Sequence, residues 1–157
     1  MARTPTPAAQ RRALARFIEE NRLLTLATVG DRGTPWAATM FFAFDRDLAL
    51  YVVASPETQH ARDIAASKRV AGTISHAWQH PETKAIRGVQ FVGRAKRLAK
   101  KDVPAAHRLF KKRMPWVDHY LGDHAFYRID VSEYWLIDQD LFGDHFRRKV
   151  AHRKSSR

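Results

Sequence analysis

Cysteine is absent from the 157 residues. That excludes disulfide frameworks, thiolate catalysis and every metal site built on sulfur, and it fits a reducing compartment. Long apolar runs are missing too: the longest, over 36–44, is interrupted by Thr39 and is far too short to span a bilayer. The opening Met-Ala-Arg-Thr-Pro-Thr-Pro carries no apolar stretch of the secretory kind. A cytoplasmic protein with no membrane partner is the expectation. Acids are scarce as well, 16 Asp and Glu against 28 Lys and Arg, for a formal charge of +12. Such a balance invites an anionic partner, so where the charge sits decides what it means.

Much of it sits at the ends. Residues 1–12 contain Arg3, Arg11 and Arg12 and no acid; residues 147–157 contain Arg147, Arg148, Lys149, Arg153, Lys154 and Arg157 and no acid. Chain ends are commonly solvated and frayed. The expected organisation is therefore a basic N-terminal segment (1–12), a nearly charge-balanced folded domain (13–146) and a basic C-terminal tail (147–157). Hydrophobic residues make up 45%, enough for a core.

Thr6 before Pro7 reads as a helix cap and first-turn proline, with Leu14, Phe17 and Ile18 on one face and Asn21 at the end. Strands are expected over 23–28, 35–44, 48–54, 70–75 and 85–98, the last bent or bulged at Gly93. The turn at Gly30-Asp31-Arg32-Gly33 joins the first two. Ser55-Pro56-Glu57 opens a short helix carrying Ala61, Ile64 and Ala65, and Asp102 opens another that Pro115 ends. Two more strands are expected over 126–131 and 134–137. Neither a repeat nor an internal linker is visible. The pattern is that of an α+β protein whose core is an antiparallel barrel or sandwich.

Candidate chemistry is sparse. His76 and His80 are four apart but straddle a stretch that Pro81 marks as loop, so no metal site is expected; His119 and His124 flank Gly122-Asp123 and earn the same reading. Trp36, Phe41, Phe42, Phe44 and Tyr51 read as core and subunit interface, because apolar residues alternate onto both faces of the second strand. Over 94–113 there are many bases and one acid, Asp102. A solvated surface explains them, and no nucleic-acid motif accompanies them.

The succession LLTLATVGDRGTPWAATMFFAFD, LALYVVASPETQHARDI, VAGTIS and AIRGVQFVGRAKRL resembles the pyridoxamine 5′-phosphate oxidase-like, FMN-binding split-barrel superfamily, from about residue 13 to 147. Ile86-Arg87-Gly88-Val89-Gln90-Phe91-Val92-Gly93 is similar to a small uncharacterised bacterial branch of it. The resemblance implies an α+β fold, a six- to seven-stranded antiparallel split β-barrel with short flanking helices. It also implies a homodimer with two FMN sites between subunits and an unknown small-molecule substrate. Ala38, Thr39 and Met40 would lie along the flavin ring. Ala54, Ser55, Thr58, Gln59 and His60 would take the ribityl chain and phosphate, with Arg87, Arg62 or Arg69 as countercharge.

Where relatives clamp the phosphate with Arg and Lys on the second strand, this chain has Ala38 and Ala43. Their Ser-Arg-Lys at the helix start is Thr58-Gln59-His60, and their substrate-holding Arg-x-His falls on Leu141 and Gly143. A flavin-dependent oxidoreductase other than a true pyridoxamine phosphate oxidase is the leading expectation. A dimer that has lost flavin and binds another ligand, or a basic-surface nucleic-acid binder, are the alternatives. Thr58, Gln59 and His60 also have a plain reading, as the first turn of a helix capped by Ser55.

Overall fold

The chain's fold follows from how few of its strands can bury both faces alone. The computed structural model describes residues 4–76, 85–144 and 146–153. Helix α1 (Pro7–Glu20) starts where expected: the Thr6 hydroxyl accepts from the Ala9 N–H at 3.2 Å, and Leu14, Phe17 and Ile18 are buried. The strands are β1 (Leu23–Val29), β2 (Pro35–Phe44), β3 (Leu50–Ala54), β4 (Arg69–Ser75), β5 (Arg87–Arg97), β6 (Ala125–Asp138) and β7 (Arg147–Val150). Between them run α2 (Gln59–Ser67), a 3₁₀ turn (Lys100–Asp102), α3 (Val103–Arg113), and the short α4 (Asp118–Leu121) and α5 (Gln139–Phe142).

The sheet order is β3-β2-β1-β4-β5-β6-β7, every pairing is antiparallel, and β3 also pairs with β6. That extra pairing closes a six-stranded barrel and leaves β7 as an addition. The expected α+β split barrel is what the chain forms.

Two neighbouring predicted strands are in fact one. β6 runs unbroken for 14 residues and takes two partners along one edge, β3 over 125–129 and β7 over 134–137. In the gap between them the Val131 carbonyl accepts from His152 Nε2 and from Arg153 Nη2, each at 2.9 Å. Arg11 Nε in turn donates to the His152 carbonyl at 2.9 Å. The residues expected as a basic tail therefore begin with a strand, and those expected as a basic leader include the first turns of α1. Charge at a chain end says nothing about backbone pairing, which here fixes both.

Gly93 sits at the expected bulge, where the β5–β6 register shifts between Val92 and Gly93. Met40, Phe42, Leu50 and Val52 face the barrel interior with α1 and α2, whereas Ala43, Tyr51 and Val53 face a second cluster covered by α3. Arg113, at the end of α3, is clamped between these layers, its guanidinium 5.1 Å from the Phe42 ring and 4.8 Å from that of Phe44. No helix among the described residues is long and apolar enough to cross a membrane.

Candidate functional site

Helix α2 follows β3 directly, so Ala54, Ser55 and the α2 start are placed together by the chain itself. Across the barrel mouth stands β2. Its alternation sends Trp36, Ala38, Met40 and Phe42 to the interior side, where Met40 joins the same cluster as Ala54, Ala61 and Ile64, and Ala38 packs against it. The first half of β2 is open: Trp36 is 48% exposed, and Ala37 and Thr39 are exposed too. Within one chain, burial on both faces is confined to the second half of the strand, where Phe42 and Ala43 are fully buried; the expectation for the rest includes a partner subunit.

The α2 N-terminus is the chemically distinctive part. Thr58 is its N-cap residue, yet no side chain caps the helix and no acid lies in the first turn. The Thr58 hydroxyl instead donates to the Ser55 carbonyl at 2.8 Å. The leading N–H groups of a helix have no partner within it, so those of Gln59, His60 and Ala61 form a small electropositive end. Gln59 is less available. Its amide donates to Asp63 Oδ1 at 2.7 Å and its oxygen accepts from Arg62 Nη2 at 3.1 Å.

Asp63 is 3% exposed and also accepts from the Thr28 hydroxyl at 2.7 Å, so it ties α2 to β1. Nothing in the sequence singled out Asp63; its role depends on a partner 35 residues away. Burial holds the His60 imidazole below its ordinary pKa, with Asp63 opposing, and burial does the same to His152 against the Val131 carbonyl. Unfolded histidines titrate near about 6.5. Below that pH the unfolded chain binds protons that the folded chain resists, so stability is full above it and declines as pH falls. Thermal melts should show a midpoint that drops from about pH 7 to about pH 5, and a smaller drop in His60→Gln. An identical acid slope in that variant would remove His60 from this account.

The nine residues expected around a cofactor do not all converge. Ala54, Ser55, Thr58, Gln59 and His60 follow one another from β3 into α2, and Met40 shares the core cluster of Ala54, with Ala38 packed against it. Thr39 points to the other face of β2. Arg87 is elsewhere: it opens β5 opposite Asp138, 3.4 Å away, and its guanidinium lies 5.8 Å from the Phe17 ring. The α2 end, by contrast, meets the other terminus of β5 near Arg97. Within one chain, the length of β5 thus separates Arg87 from the start of α2. Arg69 pairs in register with Arg94 at the start of β4.

Ala43 lies under α3, on the opposite face of β2 from Ala38. The predicted basic stretch over 94–113 is also dispersed. Lys111 and His107 both reach Asp118, and Arg113 is buried. His76 packs its ring on Phe17 at 4.9 Å, and His80 lies outside the described residues. His124 lies beside Asp123 at 3.7 Å, and its ring is 5.1 Å from that of Tyr120. Among the described residues no group of three or more metal-ligating side chains forms.

The outer face of β1, β2 and β4 has a different character. Thr25, Ala27, Ala37, Thr39, Ala71 and Thr73 occupy it in register, uncharged and small. Exposed Val29 and Val92 border it.

Residues 11–138 match the family described as Pyridoxamine 5′-phosphate oxidase. A UPF0306 protein of Haemophilus ducreyi is 31% identical over 131 residues, covering 82% of this chain and 81% of that one. Among solved structures, a heme binding protein from Mycobacterium smegmatis superposes with a TM-score of 0.75 at 19% identity, covering 96% of this chain and 60% of that one. A FAD-binding protein from Mesorhizobium loti does so with a TM-score of 0.65 at 19% identity, covering 84% and 92%. At these identities the two structures share the fold.

Proposed function

The chain belongs to the pyridoxamine 5′-phosphate oxidase family, and on that premise we propose that it is a homodimer holding FMN between its subunits and acting as a small flavin-dependent oxidoreductase. The observation that carries this reading is the uncapped, acid-free start of α2 beside the open, small-residue half of β2. The residues fit the group in two respects. Free N–H groups at a helix start are a ready phosphate site, and Ala37, Ala38 and Thr39 leave the strand backbone accessible to a flat ring. In a third respect the fit is thinner, since no cation stands at Ala38, and His60 is kept neutral by burial.

In the proposed role, the N–H groups of Gln59, His60 and Ala61 bind the phosphate, with the Thr58 and Ser55 oxygens beside them. Backbone at Ala38, Thr39 and Met40 orients the ring, and Trp36 shields the mouth from water. FMN when bound would supply the redox step, with the protein orienting and tuning it. Substrate selection does not follow pyridoxal chemistry, because Leu141 and Gly143 carry no charge with which to hold it. The dimer is supported by the small, uncharged centre of the outer face of β1, β2 and β4 (Thr25, Ala27, Ala37, Thr39, Ala71 and Thr73), with Arg69 and Arg94 at its edge. Two copies of a strongly basic chain can meet at that centre without opposing like charges.

Thr58→Asp tests the phosphate contact. Thr58 already has the extended backbone of a cap residue (φ −72°, ψ 154°), so aspartate there should cap α2 and keep the fold. It would also occupy the free N–H groups with a negative charge. FMN titration followed by flavin fluorescence should show saturable binding to the native dimer and a loss of about tenfold or more in Thr58→Asp, the scale of one charge-assisted contact. A native protein that is monomeric in sedimentation, or that takes up hemin but no FMN, would overturn the proposal in favour of a different ligand.

A further inference from the structure

The face of α2 turned away from Gln59 and Asp63 borders a second cavity, about 390 Å³, between the helix and the end of β5. Arg62 on α2, Lys68 just after α2 and Arg97 on β5 line it, Arg97 on the same strand face as Tyr127; Lys96, its neighbour on β5, is at the edge, its side chain on the other strand face, where it also lines a hollow with Asp45, Asp102 and Asp130. No carboxylate lines the cavity beside α2. Among the described residues none of these four cations forms an ion pair with Asp or Glu. Arg62 donates to the Glu57 carbonyl and to the Gln59 side-chain oxygen, both neutral, so its charge stays uncompensated. Pro56 and Tyr127 supply uncharged wall. The Tyr127 phenol, its pKa raised by burial with Arg97 opposing, offers a hydroxyl donor.

Lys68 is held there by the backbone. It has φ +60°, the left-handed conformation that ends helices and that favours glycine. Its N–H donates to the Ile64 carbonyl at 3.0 Å, and its carbonyl accepts from the Ala95 N–H at 2.8 Å. A lysine thus stands where a glycine would fit with less strain, pinned to the strand that carries Lys96 and Arg97.

We propose that this cavity binds a small phosphorylated molecule, its phosphate against Arg62, Lys68 and Arg97 and its uncharged part against Pro56 and Tyr127. Converging cations around a hollow of this size fit a compact multivalent anion. A polyanion would be better served by a stripe of charge. The inference stands apart from the flavin reading, because it uses the opposite face of α2.

Calorimetric titration of the native protein with inorganic pyrophosphate, at about 0.15 M salt to screen diffuse attraction, tests it. A saturable site is expected that Arg97→Ala and Lys68→Gly each weaken about tenfold. The glycine variant relieves the strained turn, so its loss of binding could not be put down to unfolding. Arg46→Ala, on a side chain 94% exposed and remote from the cavity, and Thr58→Asp should both leave binding unchanged. Absence of saturable binding overturns the proposal, as does equal weakening by Arg46→Ala. So does weakening by Thr58→Asp alone, which would move the anion to the α2 N-terminus. A short single-stranded oligonucleotide that binds more tightly than pyrophosphate, and is lost with the same variants, would assign the cavity to a polynucleotide instead.

Discussion

Replacing Gly93 by alanine is expected to destabilise the fold by about 3 kcal/mol, the upper part of the usual range for forcing extra volume into a packed site. A Cβ there would lie 2.4 Å from the Asp130 oxygen, 3.1 Å from its carbonyl carbon and 3.0 Å from Val131 Cα. All three atoms are backbone, so no side chain can rotate aside. Nor can β6 retreat. It is paired to β3 and β7 along its other edge, and the Val131 carbonyl is gripped by His152 and Arg153. Urea denaturation of Gly93→Ala against the native protein measures the effect, and a loss below about 1 kcal/mol would mean that the bulge relaxes freely.

Arg113→Met should cost about as much, roughly 3 kcal/mol, for a different reason. The Arg113 side chain is only 7% exposed. Its Nη2 donates to the Asn21 carbonyl at 2.5 Å and its Nε to the Phe42 carbonyl at 3.2 Å. Burial lowers its pKa, with Glu19 opposing and Arg22 adding to the lowering, but guanidinium remains charged at any physiological pH. Methionine would keep the stem between Phe42 and Phe44 while stripping both carbonyls of their donor. Arg113→Lys should recover only part of the loss, since one ammonium cannot reproduce a planar fork that serves two carbonyls and two rings. Equal urea midpoints for Lys and native protein would show that charge alone, without geometry, does the holding.

Where alternation and turn residues were strong, the sequence was a good guide. β2 and the bulge at Gly93 came from such local signals, and α1 from its cap and apolar face. β7 had none: of Arg147, Arg148, Lys149 and Val150 only the last is buried, and the strand exists because β6 offers it an edge. The candidate site divides in the same way. The run from Ala54 to His60 was legible because it is contiguous. The distance of Arg87 from that run and the role of Asp63 were not legible, because the first depends on strand length and the second on a contact between α2 and β1. Neither leaves a periodicity to read. The positive charge that dominates the composition likewise gained meaning only where the fold brought Lys68 beside Arg97.

The bond from Arg11 to the His152 carbonyl, and from His152 on to Val131, has a consequence for the order of folding. The first helix and the last described residues hold each other through the middle of β6, so neither end has its full set of partners until the other is present. Docking of these two segments on β6 is thus a late event that joins distant parts of the chain. Once made, it ties α1 and the β7 segment to the strand that two other strands already hold.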